Sequence, residues 1–445
     1  MKKSSRVKRE LKIVNPNAAG IDIGSEIHYV AIPEGRMSRA VESFGCVTAE
    51  LERMAEWLQA ARIETVALES TGVYWISVAA VLEDYGMEVV LVDPRQLKNS
   101  KNRKTDVEDS SWIQQMHCFG LLSAAFRPTP EIQVLRDYER QRRSLVQDAA
   151  RQIHLMQKSL EQMNVQLHKV LSDISGVSGL KILRAIARGV QDPSELATLA
   201  GGALRSTPEE MRQALRGHYR EQHVFGIAQA LKTFDFVHER IRECDEAIEK
   251  VMRRLPTRGE APKVAPPQKR RKNQPHFHIA QELARVTGVD LTRIPGISVL
   301  TAQTVISECG VDLNAFPDEH HFSSWLGLSP NNKKTGGRIF STRTRLRPSP
   351  VATALRLAAQ SLLRSKTPLG DRLRSFRARL GMPKAITAMA HLLGRLVFRG
   401  LTRGQEYLEN GLTAFTAQTQ RDKVQALKRR AAYLGYQLTP VAEIA

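Results

Sequence analysis

The hydrophobic pattern of this 445-residue sequence changes period near residue 130, and that change restricts the fold more than any other feature. Before it, short apolar runs alternate with helical patterns. AGIDIG and HYVAI are of strand length, and residues 49–61 place Leu51, Met54, Ala55 and Leu58 on one helical face. ETVALES reads as a strand, residues 73–85 as a helix, and MEVVLVD as a strand rich in β-branched residues. Residues 18–126 are therefore expected to form a mixed α/β domain around a largely buried sheet.

After the change, apolar residues repeat at spacings of three and four over several heptads. Leu135, Tyr138, Leu145, Ala149, Met156, Leu160, Met163, Leu167 and Val170 trace one stripe. Ile227, Leu231, Phe234, Ile241, Ile248, Met252 and Leu255 trace another, with His238 and Asp245 at seam positions. The pattern predicts either two core helices of one bundle or an intermolecular coiled coil. LSDISGVSGLKILRAIARG and LTRIPGISVLTAQTVISECG look like an internal repeat, each a glycine turn leading into an apolar helix. Such a turn exposes backbone N–H groups suited to a phosphate, as in helix-hairpin-helix nucleic-acid motifs, and ordinary helix–helix turns fit equally well.

Residues 256–275 hold five prolines and six basic residues against one acid, the composition of a disordered linker, and include a KRRK cluster. The expected organisation is a basic arm (1–17), the α/β domain (18–126), a helical or coiled-coil region (127–255), a disordered basic Pro-rich linker (256–278), a mostly helical C-terminal domain (279–400) and a helical tail (401–445). At roughly 150 residues per domain, the length accommodates two to four domains.

Sixty-six Lys and Arg against 46 Asp and Glu leave a formal charge of +20, so the folded surface repels itself unless a polyanion is near. Nucleic acid is the first partner this implies. The excess is local, because residues 331–400 hold 16 Lys and Arg against a single acid, Asp371. Four scattered cysteines without a Cys-x-x-Cys pair encode neither a disulfide framework nor a zinc ribbon, which fits a reducing cytosol. No apolar region follows the basic N-terminus, and the uncharged stretch 110–126 is interrupted by Gln114, Gln115 and His117, so no secretory signal or membrane span is expected.

Two constellations could carry chemistry. Asp22 lies inside the first strand between Ile21 and Ile23, Glu69 ends ETVALES, and Asp106 and Asp109 follow VVLV in KTDVEDS. In open α/β sheets, sites form at the carboxyl ends of strands. Acids gathered there repel one another unless a divalent cation neutralises them, and two Mg²⁺ ions about 4 Å apart would clamp the attacking and leaving oxygens of a phosphodiester. Thr105 with Glu108 also forms a capping box, and acids in a first helical turn are favourable without metal. Asp22 is harder to dismiss, because an acid in an apolar strand is costly to bury without compensation. GIDIGS also resembles the opening strand of actin-like ATPases, but no further Gly-rich phosphate loops follow it.

The second constellation is FSSWLGLSPNNKKTGGRIFSTRTRLR. Thr335 precedes Gly336 and Gly337, with Lys333, Lys334, Arg338, Arg343 and Arg345 around it. A hydroxyl beside a flexible glycine pair can approach a backbone phosphate, and the cations could stabilise charge on a transferring phosphoryl group. A Gly-rich hairpin whose basic residues contact phosphate for affinity alone fits the same residues.

GIDIGSEIHYVAI, ALESTGVYW and VDPRQLKNSKNRKTDVEDS together resemble the DEDD signature of the IS110 insertion-sequence transposases. IPGISVLTAQTVISECG and WLGLSPNNKKTGGRIFSTRTR resemble the C-terminal domain of the same family, and LSDISGVSGLKILRAI its subgroup with a longer helical middle. The resemblance spans residues 18 to about 400. It implies a RuvC-like, ribonuclease-H-type α/β domain, a long helical middle and a mostly helical C-terminal transposase domain with a helix-hairpin-helix-like motif. It further implies excision and insertion of a mobile element by DNA strand exchange, guided by a structured noncoding RNA, the bridge or seeker RNA. Asp22, Glu69, Asp106 and Asp109 would bind Mg²⁺, while a C-terminal hydroxyl attacks DNA and holds it covalently. Partners implied are double-stranded DNA at the element ends and target, the guide RNA, and further copies of the chain in a dimer or tetramer whose composite site joins two subunits. The implied location is cytoplasmic, with the nucleoid when DNA is bound. The family usually has Ser before the glycine pair, where this chain has Thr335; Ser341 is the alternative hydroxyl. A catalytically impaired nucleic-acid-binding protein and a Holliday-junction-resolvase-like nuclease are the other functions these residues allow.

Overall fold

The computed structural model describes residues 12–70, 72–97, 105–201, 206–260, 262–264, 272–344 and 349–439. Residues 1–11 of the N-terminal arm, Lys269, Arg270 and Arg271 of the KRRK cluster, and Arg345 lie outside them. The chain divides into two compact units, residues 1–127 and 128–445.

The first unit runs β1 (Ala18–Ile23), β2 (Ile27–Ala31), β3 (Val41–Gly45), α1 (Thr48–Ala60), β4 (Thr65–Glu69), α2 (Trp75–Asp84), β5 (Glu88–Val92), α3 (Pro94–Leu97) and α4 (Asp106–Cys118). Its five strands lie in the order β3-β2-β1-β4-β5. The first three form an antiparallel meander, and β4 and β5 continue the sheet parallel to β1. This mixed sheet fits the ribonuclease-H-type domain that the resemblance implies. Successive side chains of a strand point to opposite faces. Ala19, Ile21, Val66, Leu68 and Leu91 accordingly pack against Leu51, Met54 and Leu58 of α1 and Val78 and Leu82 of α2. Ala67 and Val92 take the other face and pack with Leu97 and Ile113. The strand β3 escaped the sequence patterns because VESFG buries only Phe44, as an edge strand can.

The second unit runs α5 (Pro130–Gln162), α6 (Leu167–Val170), α7 (Val177–Ala187), α8 (Pro193–Thr198), α9 (Pro208–Leu215), α10 (Glu221–Arg254), α11 (Ile279–Thr287), α12 (Val299–Cys309), α13 (Glu319–Trp325), β6 (Lys333–Thr335), β7 (Arg338–Ser341), α14 (Pro350–Ser361), α15 (Pro368–Leu380), α16 (Met382–Arg403) and α17 (Gln405–Tyr433). The two heptad stripes meet within the chain, as the bundle alternative has it. Met156, Leu160, Ile227, Leu231 and Phe234 share one core, and α5 and α10 run antiparallel, with Arg142 against Asp245 and Ser159 against Gly226. The seam residue Asp245 accepts from Arg142 Nε at 2.5 Å, both side chains being buried. The exception is Tyr138, which is exposed.

The helix after the second glycine turn, α12, is buried from Thr301 to Cys309. Its Ser298 N-cap accepts from Thr301 N at 3.2 Å, and a Cβ on Gly296 of the turn would meet Ala358 O at 3.0 Å. Glu308 on α12 receives Arg140 Nη2 at 2.8 Å, and Gln303 Nε2 donates to the buried Glu139 at 2.7 Å, so α5 is tied to α12 by polar contacts. Burial pushes the Glu139 carboxyl up to about 7.

In the segment 256–278, expected to be a disordered linker, the described residues make hydrogen bonds to the helical unit. Arg258 N donates to Arg285 O (3.0 Å), Val264 N to Gln281 Oε1 (2.8 Å), Lys272 Nζ to Asp173 Oδ2 (2.9 Å), and His276 N to Asp245 Oδ2 (3.0 Å). Acceptors on α10, on α11 and between α6 and α7 thus engage three backbone N–H groups and one lysine of a segment whose prolines restrict it to extended conformations. Composition alone contains none of those partners. Among the described residues no helix is long and apolar enough to cross a membrane.

Candidate active site

The register of β1 on β4 pairs Gly20 with Ala67 and Ile21 with Leu68. The next residues, Asp22 and Glu69, therefore end two adjacent parallel strands side by side, with backbones about 5 Å apart. Ile21 and Leu68 face the α1 and α2 core, so Asp22 and Glu69 face the opposite side. That side is the one α4 covers.

Three contacts fix the course of α4. Cys118 O accepts from Val14 N (2.8 Å), Gln114 Nε2 donates to Ala18 O (3.3 Å), and Ser110 O stands 2.6 Å from where a Cβ on Gly20 would be. The helix thus runs antiparallel to β1. Toward its N-terminus α4 continues past Ser110, as β1 continues past Gly20, and its first residue is Asp106. Asp109, three residues along, stays on the same side of the helix. His117 anchors the other end, its Nε2 lying 2.9 Å from Thr65 Oγ1, and burial lowers its pKa, favouring the neutral ring.

Gly20 makes this docking possible. A Cβ there would meet Gln114 N at 2.2 Å, and backbone cannot be rotated away as a side chain can. Gly20→Ala is expected to cost about 1–3 kcal/mol of unfolding free energy through overpacking and to reduce strand cleavage by displacing α4 and its acids. Gly411→Ala in α17, where nothing lies within 4 Å of the added methyl, should leave both unchanged or slightly raise stability. Denaturation midpoints of the two variants check this, and equal values would contradict the docking role.

Thr105 caps α4, its hydroxyl accepting from Glu108 N at 3.3 Å, with Asp106, Glu108 and Asp109 in the first turn. The cap uses the threonine hydroxyl, and the acids suit the helix dipole. Asp22, Glu69 and Asp109 are half-buried and Asp106 is exposed. Among the described residues no three acidic, histidine or cysteine side chains stand close enough to close around a metal ion. The four carboxylates are hard oxygen donors. Mg²⁺ is ordinarily held by one or two carboxylates together with waters and substrate phosphates, so this donor set fits it without a closed cage.

The second constellation is a hairpin in the other unit. Lys333 pairs with Ser341, Lys334 with Ile339 and Thr335 with Arg338. Gly336 (φ +54°) and Gly337 (φ +78°) form the two-residue loop, and positive φ at both positions is what a type I′ turn requires. The hairpin alternative thus describes the backbone correctly. Thr335 stands exposed at its tip among Lys333, Lys334, Arg338 and Arg343, all exposed. Ser341 is half-buried at the far end, and its Oγ accepts from Arg343 N at 3.4 Å.

Residues 19–165 match the model of the IS110 DEDD transposase domain, and residues 277–374 match that of the transposase IS116/IS110/IS902 family. The first match contains all four acids and the second the whole hairpin; together they cover more than half the chain. The chain belongs to the IS110 family of transposases. No curated protein matches it. As an IS110-family transposase it is an enzyme of DNA strand cleavage and transfer, and its basic surface belongs to a DNA-binding protein. The sequence pattern singled out the four acids and the basic hairpin. It passed over Gly20, although a glycine inside a strand signals close backbone approach.

Proposed function

We propose that this IS110 transposase excises and inserts its element by RNA-guided, Mg²⁺-dependent strand exchange through a covalent protein–DNA intermediate. The observation that supports this is that Asp22 and Glu69 follow the paired residues Ile21 and Leu68 near the carboxyl ends of two adjacent parallel strands, while α4, whose first turn holds Asp106 and Asp109, runs antiparallel to β1. These four acids would hold Mg²⁺, which when bound supplies Lewis-acid stabilisation of charge on the reacting phosphate.

Thr335 is the proposed nucleophile, since it stands exposed at the hairpin tip beside two glycines that leave room for a backbone phosphate. As its oxygen bonds to phosphorus, the bond from phosphorus to the departing strand breaks. The hydroxyl proton is lost, and the departing oxygen takes one up. Attack by another strand's hydroxyl reverses the step, so no energy source is consumed. Lys333, Lys334, Arg338 and Arg343, with Arg345 beyond the described residues, neutralise the phosphates. The DEDD acids and the hydroxyl are proposed to meet between subunits of a dimer or tetramer. The guide RNA is proposed to choose the target by base pairing; family membership and the net charge of +20 support its binding.

Trapping the adduct on labelled element-end DNA tests the assignment. Thr335→Ala should reduce the adduct to background, Thr335→Ser should retain or increase it because the smaller side chain is less crowded, and Ser341→Ala should leave it intact. An adduct that survives Thr335→Ala but not Ser341→Ala overturns the choice of residue. No adduct from the wild-type chain, with the guide RNA supplied, favours the impaired nucleic-acid-binding protein or a resolvase-like nuclease.

A further inference from the structure

The hairpin carries a feature that cleavage chemistry does not use. Ile339 and Phe340 of β7 are 50% and 66% exposed, on a ribbon whose other strand is exposed throughout. An aromatic ring left in water on a two-stranded ribbon adds little to the stability of the fold, since such a ribbon has no core of its own.

The ladder shows how the ring is set apart. Lys333 pairs with Ser341 and Lys334 with Ile339, so Phe340 is the extra residue of a bulge. Bulges sharpen the local twist and re-aim a side chain. The same ribbon and its continuation carry Lys333, Lys334, Arg338 and Arg343, and residues 331–344 contain no acid. Apolar area beside cations suits a polyanion that also offers flat apolar faces. Stacked bases behind a phosphate backbone have both properties, and apolar side chains are known to enter such stacks as wedges.

We infer that Phe340 is a wedge that enters a base step of the bound DNA duplex while the four cations hold the flanking phosphates. Phe340 lies two positions along the ribbon from Arg338, the partner of Thr335, a distance of about 7 Å. With the ribbon laid along the duplex axis, that length equals two base-pair rises of about 3.4 Å, which would put the opened step two base pairs from the phosphate offered to Thr335. The placement of that step rests on Thr335 being the nucleophile; the wedge itself rests only on the hairpin contacting DNA. Opening a step beside the scissile phosphate frees the strand end for exchange. Phe340 is thus a positioning residue for the transposition reaction.

The test uses the full chain, its guide RNA and an element-junction duplex carrying 2-aminopurine at successive positions, whose fluorescence rises when the base unstacks. The wild-type chain should brighten one step several-fold. Phe340→Ala should lose that signal and bind roughly tenfold more weakly, with the slope of log affinity against log salt unchanged because the phosphate contacts remain. Phe340→Trp should restore the signal. The exposed position makes loss of folding an unneeded explanation, and circular dichroism of each variant verifies it. The wedge is overturned if Phe340→Ala brightens the step as the wild type does, if bound duplex brightens nowhere, or if the signal appears only with 2-aminopurine in the guide RNA. A chain that brightens a step yet forms no covalent adduct supports the wedge and removes Thr335 as nucleophile.

Discussion

Asp22→Asn and Glu69→Gln are each expected to lower DNA strand cleavage by about 10³-fold or more, because metal stabilisation of a reacting phosphate contributes several kcal/mol and each 1.36 kcal/mol is a decade in rate. Both substitutions keep the side-chain shape at the ends of β1 and β4 while removing one charge. Excision in cells with the element's RNA supplied should vanish, while RNA binding and the thermal midpoint of the purified variants persist. Loss of RNA binding in both variants would instead show collapse of the α/β unit.

Asp245→Ala should be the most damaging substitution outside the acids. Arg142 and Asp245 have side chains only 5% and 2% exposed, and Asp245 also accepts from His276 N while Arg142 Nη2 donates to Asn273 O at 2.9 Å. The pair therefore joins α5, α10 and the described end of segment 256–278. Removing the carboxylate strands a guanidinium in the helical seam, an error that costs about 3–5 kcal/mol. Replacing both partners, as in Arg142→Met with Asp245→Leu, should recover most of that loss, since a buried ion pair and a packed apolar pair are often close in stability. Urea unfolding of the three proteins measures this. A single variant as stable as the wild type would mean that water already reaches the pair.

Much of this was legible in the sequence, and the limits have physical causes. Strand and helix periods gave β1, β2, β4, β5, α1 and α2, because each buries one face against a common core. Asp22 stood out because its neighbours Ile21 and Ile23 are apolar, and Asp245 because it interrupts a heptad stripe. The pattern could not choose between an intramolecular hairpin and an intermolecular coil, since both bury the same stripe. It missed the contacts that depend on partners remote in sequence: the seat of Ser110 and Gln114 on Gly20, and the acceptors that tie down residues 256–278. Nor could it foresee the bulge that sets Phe340 apart, because a bulge arises from the register of two strands, not from the composition of either.

Metal-dependent cleavage of DNA by Asp22, Glu69, Asp106 and Asp109 is the proposal on which the rest depends. Its most direct measurement is the yield of covalent protein–DNA adduct on labelled element-end DNA, with guide RNA present, in Mg²⁺ and in excess EDTA, for the wild-type chain and Asp22→Asn. Adduct from the wild type in Mg²⁺, and none either in EDTA or from Asp22→Asn, is the predicted result. Equal adduct with EDTA, or from Asp22→Asn in Mg²⁺, would contradict it.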